Sequence, residues 1–346
     1  MHSRVNRLDE RSRKVKSGRA QPLQGEIPSV IQARKLTRRF RDVVGLEGLD
    51  LDVRRGEVFG LLGPNGAGKT TTLRLLTGIM RPTSGCVRVL GVDVVRDPER
   101  AKSQIGYVAQ AVGLYGDLSV EEHLEFYAAL YGRPDRQLLD QLVERYGFSS
   151  LRSRLARDLS GGYRTRLALL TALVHRPAVL FLDEPTSGVD PVTRKELWDL
   201  FYSLKGEGVT LLVSTHYMEE AERCDRLAFL VQGRLAALGT PVEVKCAVAD
   251  RDVFEVRTSY QPEVAARLVS LPGFDTFNQF GSVLRVICRK GSVTTESLAD
   301  WLAPLDATPP EVRVGEPTLE DAFVILTRRA ETGAAVLGPA RAEEQP

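Results

Sequence analysis

Gly63-Pro64-Asn65-Gly66-Ala67-Gly68-Lys69-Thr70 is the stretch whose reading decides the fold. It spells a glycine-rich loop of the form G-x-x-x-x-G-K-[ST] without a mismatch. The apolar run Val58-Phe59-Gly60-Leu61-Leu62 precedes it and Thr71-Thr72-Leu73-Arg74-Leu75-Leu76 follows. Strand, loop and helix therefore stand in the order that phosphate binding requires. Glycines let successive backbone N–H groups point inward as an anion-binding nest. The helix start adds its partial positive charge. On this reading Lys69 reaches the β- and γ-phosphates and the Thr70 hydroxyl ligates Mg²⁺. The expected ligand is a nucleoside triphosphate with its metal.

A second pattern lies downstream in Val179-Leu180-Phe181-Leu182-Asp183-Glu184-Pro185. Four apolar residues form a buried strand whose C-terminal end carries two carboxylates, and ligands of open α/β sheets bind at that end. Asp183 would hold Mg²⁺, directly or through water. Glu184 would polarise the attacking water as general base. A hydrophobic-Asp-Glu run is weak by itself and gains its force from the upstream loop.

The chain has 346 residues, 43% of them hydrophobic and 27% charged, as in an ordinary folded protein of one large and one smaller domain. A net charge of +2 gives no electrostatic case for nucleic acid. Cys86, Cys224, Cys246 and Cys288 are scattered, and no CxxC is present to suggest zinc or a redox pair. Scattered free cysteines fit a reducing, cytosolic compartment. No apolar run approaches the roughly 20 residues that cross a bilayer. The basic start (Arg4, Arg7, Arg11, Arg13, Lys14, Lys16, Arg19) has no apolar core behind it. It reads as a solvated tail rather than a secretory signal, with weak contact to an anionic membrane as the other reading.

Along the chain, residues 1–29 read as a disordered basic tail and residues 30–240 as the nucleotide-binding domain. Short strands at Val30-Ile31-Gln32-Ala33, Val43-Val44-Gly45-Leu46 and Leu49-Asp50-Leu51-Asp52-Val53, with turns at Gly45, Gly48 and Gly56, predict an antiparallel piece before the loop. Cys86 to Leu90 is a further strand. Helical spacing at Glu121–Tyr131 and Arg136–Tyr146 marks a helical subdomain over about 111–157. Helices at 161–174 and 191–206 then alternate with strands at 178–182, 209–215 and 226–231, the last two flanking a short helix at 219–224. Such alternation predicts a mainly parallel sheet flanked by helices. Gly239-Thr240-Pro241 marks a boundary to a small α+β unit over 241–329, with a loose tail at 330–346.

Further motifs carry a resemblance. Leu159-Ser160-Gly161-Gly162-Tyr163-Arg164-Thr165-Arg166-Leu167 resembles the LSGGQ signature of ATP-binding-cassette (ABC) proteins, with Tyr163 where the glutamine is usual. Gln110 looks like the Q-loop glutamine, Ser187-Gly188-Val189-Asp190-Pro191 like the D-loop, and Ser214-Thr215-His216 like the H-loop. Phe40 sits where that family stacks an aromatic on adenine. Order and rough spacing match over about residues 30–240. The resemblance implies the P-loop NTPase ABC fold and ATP hydrolysis. Two such domains would sandwich two ATP molecules head to tail as a homodimer. Lys69, Thr70, Thr71, Gln110, Asp183, Glu184 and His216 would act on the nucleotide in cis, with Gln110 also near the metal. Ser160, Gly161 and Gly162 would come from the partner protomer, and Asp190 would align water across the interface. Tyr163 is either a tolerated variant of the signature or a core aromatic.

The same resemblance implies a separate multi-span permease, gripped by the helical subdomain at residues 111–120, and a place at the cytoplasmic face of the plasma membrane. Met80-Arg81-Pro82-Thr83-Ser84-Gly85, Leu90-Gly91-Val92-Asp93 and the C-terminal Glu316-Pro317-Thr318-Leu319-Glu320-Asp321-Ala322-Phe323-Val324-Ile325-Leu326-Thr327 are similar to the type-2 exporter branch, which serves drug, antibiotic, polysaccharide or lipid efflux. The alternative is a soluble ABC ATPase of translation or DNA repair. Those usually carry two nucleotide domains or a long coiled-coil insertion, neither of which this sequence contains.

Overall fold

The computed structural model describes residues 28–110, 113–132, 135–258, 262–305 and 310–331. The basic stretch at 1–27, Ala111 and Val112 of the expected permease-binding segment, and the tail at 332–346 lie outside them. Three sheets organise the chain.

The first sheet is antiparallel and runs β2-β1-β4-β5. Its strands are β1 (Ser29–Phe40), β2 (Val43–Arg54), β4 (Ser84–Val89) and β5 (Val92–Asp93). The antiparallel piece expected from sequence is present, but Gly45 and Gly48 are not turns. Both lie inside β2, where register shifts against β1 absorb the irregularity that glycine permits.

Between β2 and β4 come β3 (Val58–Leu62) and α1 (Lys69–Leu76). After α2 (Pro98–Lys102) the chain enters β6 (Ile105–Val108), then α3 (Val120–Leu130) and α4 (Arg136–Arg145). Ser119 caps α3 through a reciprocal box with Glu122, and Asp135 caps α4. Next come α5 (Gly161–Leu173), β7 (Val179–Asp183), α6 (Pro191–Gly206), β8 (Thr210–Thr215), α7 (Met218–Ala221), β9 (Arg226–Val231) and β10 (Arg234–Gly239). The second sheet runs β10-β9-β3-β8-β7-β6, parallel except for β10.

The parallel strands are mainly apolar because both faces are covered, with polar residues confined to their ends. On β7 and β8, Val179, Phe181 and Leu212 join α1 and the antiparallel sheet in one core, while Leu180, Leu182, Leu211 and Val213 join α3 to α6 in another. The helical subdomain is thus rooted in the same core as the Asp183 strand.

Thr240 caps α8 (Pro241–Cys246) at the expected boundary. Beyond it, β11 (Arg251–Arg257), α9 (Pro262–Val269), β12 (Phe274–Phe280), β13 (Val283–Arg289), α10 (Thr295–Leu302) and β14 (Glu311–Gly315) follow in turn. The sheet order β12-β13-β11-β14 makes this a split βαβ arrangement. The last helix, α11 (Leu319–Glu331), packs Leu319, Ala322, Ile325 and Leu326 into a core shared with Leu227 and Phe229 of β9 and Val253 of β11. The two units are sealed by one apolar cluster rather than hung on a linker.

Gly106 decides how closely β6 approaches α5. A Cβ there would lie 2.6 Å from the Ala172 carbonyl oxygen and 2.7 Å from Leu180 Cδ1. Gly106→Ala should destabilise the fold by about 1–3 kcal/mol through overpacking. An unchanged denaturant midpoint would contradict this close approach.

Candidate functional site

The phosphate-type loop leaves the buried strand β3 and enters α1 at Lys69. Gly68, the residue before the helix, has φ 102°, and a Cβ there would lie 2.6 Å from the Gly45 carbonyl oxygen. A Cβ at Gly63 would lie 2.4 Å from the Leu230 carbonyl oxygen. Only glycine fits at these two points, the first for its conformation as well as its size. Ala67 N–H donates to Pro64 (3.1 Å), and Gly233 N–H donates to Ala67 (3.0 Å), tying the loop to the β9–β10 turn.

Lys69 turns back into this loop. Its Nζ donates to the carbonyls of Gly63 (2.8 Å) and Pro64 (3.2 Å) and lies 3.2 Å from Glu184 Oε1. The ammonium is almost fully enclosed, at 4% exposure. Glu184 is the hub of the cleft. Its Oε2 accepts from Gln110 Nε2 at 3.1 Å and lies 3.5 Å from His216 Nδ1. Three residues from three motifs, Lys69, Gln110 and His216, therefore converge on one carboxylate. Glu184 holds φ 47°, a left-handed conformation unusual for a side chain with a Cβ. Strain of this kind persists where neighbours over-determine it.

Ser214 is such a neighbour. Its hydroxyl accepts the Glu184 N–H at 2.9 Å and donates to Asp183 Oδ1 at 2.7 Å, so from β8 it fixes the Glu184 backbone and the Asp183 carboxylate. Asp183 Oδ1 also accepts from Thr70 Oγ1 at 3.2 Å, and Oδ2 from the Tyr107 hydroxyl at 3.4 Å. Burial, with the charge of Asp183 second, holds the Tyr107 phenol above its ordinary pKa, so it remains a donor. Ser214 and Tyr107 carry no motif of their own. The only sequence signal for them is adjacency, Ser214 to the His216 turn and Tyr107 to Gln110.

Phe40 stands at the mouth of the cleft, 37% exposed. The Arg38 guanidinium lies 4.7 Å from its ring centroid, and the ring packs on Gly45, where a Cβ would meet Phe40 Cε2 at 2.6 Å. The cleft encloses about 680 Å³ and is lined by Phe40, Asn65, Gly66, Gly68, Thr70 and Thr71 alongside Lys69, Gln110, Glu184 and His216. Gln110 bonds Glu184 rather than the Thr70–Asp183 pair beside which it was expected.

Ser160, Gly161, Gly162 and Asp190 are not among the lining residues. Ser160 caps α5, accepting the Tyr163 N–H at 3.4 Å. Asp190 caps α6, accepting from the Thr193 hydroxyl (2.6 Å) and from two backbone N–H groups, which holds its carboxyl below the ordinary range. Gly162 abuts Thr193, whose Cγ2 would lie 2.5 Å from a Cβ at 162. The two helix starts are thereby packed together. Tyr163 sits half-buried with its ring 5.5 Å from that of Phe148, an edge-on pair.

The ABC transporter family model matches residues 46–187. The chain is 44% identical over 225 residues to "Probable multidrug ABC transporter ATP-binding protein YbhF" of Escherichia coli K12, covering 64% of this chain and 39% of that protein. It therefore spans about two fifths of that relative's length. It is 39% identical over 297 residues to "Daunorubicin resistance ATP-binding protein DrrA3" of Streptomyces coeruleorubidus, covering 84% of this chain and 93% of that protein. Among solved structures, cbiO1 of Clostridium perfringens, described as part of the ABC transporter complex cbiONQ, superposes with a TM-score of 0.58 at 29% identity, covering 62% of this chain and 90% of that one. On the family match and on 39% identity across 93% of the daunorubicin resistance protein's length, the chain belongs to the family of ABC transporter ATP-binding proteins.

Proposed function

We propose that this chain is the ATP-hydrolysing subunit of an exporter, working as a pair of copies docked on a separate membrane permease. The observation that carries the reading is the convergence of Lys69, Gln110 and His216 on Glu184 at the floor of a cleft walled by the glycine loop and Phe40. In this reading adenine stacks on Phe40 and the phosphates enter the loop. Lys69 exchanges its carbonyl partners for phosphate oxygens, countering their charge. Freed of the ammonium, Glu184 orients a water and takes its proton as that water attacks the γ-phosphate, releasing ADP and phosphate. Gln110 and His216 hold the Glu184 carboxylate in place. Thr70 and Asp183 bring a hydroxyl and a carboxylate oxygen within 3.2 Å, a hard-oxygen pair suited to Mg²⁺. When bound, the metal would neutralise phosphate charge.

Pairing is supported by what the cleft lacks. Ser160 and Gly161 are exposed at one helix start, and Val192, two residues past Asp190, is 69% exposed at the neighbouring one. These starts are free to close over a partner's nucleotide, where N–H groups meet a phosphate favourably. Docking is supported by an apolar groove of about 330 Å³, lined among others by Ile79, Leu114, Tyr127 and Tyr131. Tyr115, Phe126 and Leu130 are exposed hydrophobics of the same helical subdomain. Clustered apolar exposure of this kind marks a protein interface. Among the described residues no helix is long and apolar enough to cross a membrane; in this reading the channel is supplied by the permease. The exporter branch is favoured over a translation or repair ATPase by relatives named for multidrug transport and daunorubicin resistance. A peripheral place at the cytoplasmic face of the plasma membrane follows from that branch.

Lys69→Ala should lower ATP turnover at least about a hundredfold, since one preorganised charge on the phosphates is lost. Turnover within a few fold of wild type would refute the role of Lys69. Glu184→Gln should still bind ATP and run as a dimer in size-exclusion chromatography with Mg-ATP; a mutant that stays monomeric while nucleotide-loaded contradicts the sandwich. Phe126→Arg should release the chain from a co-expressed multi-span partner, and undiminished co-purification would remove Phe126 from the docking surface.

A further inference from the structure

Glu220 of α7 is 1% exposed yet carries no role in the cleft. It is held from three directions. Its Oε1 accepts from Thr186 Oγ1, which sits in the turn between Glu184 and Asp190. Its Oε2 accepts from Thr215 Oγ1 at 2.7 Å, the residue directly before His216. Arg194 Nε of α6 lies 3.5 Å from Oε1. The Arg194 guanidinium also stands 4.3 Å from the centroid of Tyr217, whose ring lies 4.2 Å from that of His216. Tyr217 N–H in turn donates to Thr215 Oγ1 at 3.0 Å.

We infer that Glu220 is a positioning residue for the hydrolytic step, clamping the Glu184–Asp190 turn, the His216 turn and α6 into one unit. A buried carboxylate is expensive unless its oxygens are satisfied, so the three segments are drawn to it and hold one relative placement. Two of them carry groups that face the nucleotide, Glu184 and His216. The third, α6, is capped by exposed Asp190, which the pairing reading above sets against a partner copy. Glu220 therefore links the hydrolytic groups to the pairing surface without touching the nucleotide. Without it, Thr186 and Thr215 lose their common acceptor and His216 is free to drift from Glu184. This inference rests on the ATP-hydrolysis reading above.

The test compares ATP turnover by wild type, Glu220→Ala, Glu220→Gln, His216→Ala and the His216→Ala/Glu220→Ala double variant, each normalised to molecules that bind a fluorescent ATP analogue. Glu220→Ala should lower kcat about tenfold or more with KM within about threefold, the pattern of an interaction felt in the transition state. Glu220→Gln should recover most of that loss, because an amide can accept from one threonine and donate to the other. The double variant should be no more than about threefold below His216→Ala, since groups acting through one another are not additive. Fully multiplicative losses, an unchanged kcat in Glu220→Ala, or a KM that rises in step overturns the inference. If Glu220→Ala binds no nucleotide, Thr215→Val carries the same comparison, because it removes one hydroxyl and keeps the carboxylate. Wild-type protein that turns over no ATP overturns the hydrolysis reading as well, whereas active wild type with an indifferent Glu220→Ala overturns only the role of Glu220.

Discussion

The structure turns on one buried ion pair, Lys69 with Glu184. Both side chains are nearly enclosed, at 4% and 9% exposure, and they come from the ends of different elements, α1 and β7. Removing one member of such a pair strands the other charge, at a cost of about 3–5 kcal/mol. The pair is possible because β8 lies between β3 and β7, with Leu62 opposite Thr215 and Asp183 opposite Ser214. That register brings the glycine loop, both carboxylates and His216 to one edge of the sheet. A triphosphate offers the ammonium a better partner than loop carbonyls do, so the resting pair is a site already arranged for the charge it is to meet.

Two other surfaces report to this point. Tyr107 lines the apolar groove of the helical subdomain while its hydroxyl reaches Asp183, the residue before Glu184. Gly162 packs on Thr193, which bonds Asp190, so the serine-capped helix and the Asp190 turn move as one body. The C-terminal unit joins the same frame through α11 and the shared core at β9.

Much of this was legible from residues alone, and the legible parts share a cause. Helix α6 was readable because Asp190 caps it and Pro191 opens it, and β9 because it is a bounded apolar run. The cleft residues were readable because each belongs to a spelled pattern. Strand β10, Arg-Leu-Ala-Ala-Leu-Gly, was missed since it has no β-branched residue and exists by pairing with β9. Strand β12 was missed because it is an edge of the last sheet, with polar residues alternating among its phenylalanines. The long β2 was misread as two strands because glycine ordinarily ends one, whereas here Gly45 gives room to Phe40. Ser214 lies in the H-loop stretch, but its bonds to Asp183 and the Glu184 N–H, and those of Glu220 to Thr186 and Arg194, join residues 26 to 34 positions apart, which no local pattern records. Tyr163 stands in the signature where glutamine is usual, and its edge-on packing on Phe148 ties it to the helical subdomain.

The most direct test is a structure of the chain with Mg²⁺ and a non-hydrolysable ATP analogue. The triphosphate is expected in the Gly63–Thr70 loop, with Lys69 Nζ on phosphate oxygens instead of Glu184 and Ser160 of a second copy closing over the terminal phosphate. An analogue bound away from that loop, or bound there with Lys69 still paired to Glu184 and no second copy above it, would contradict this arrangement.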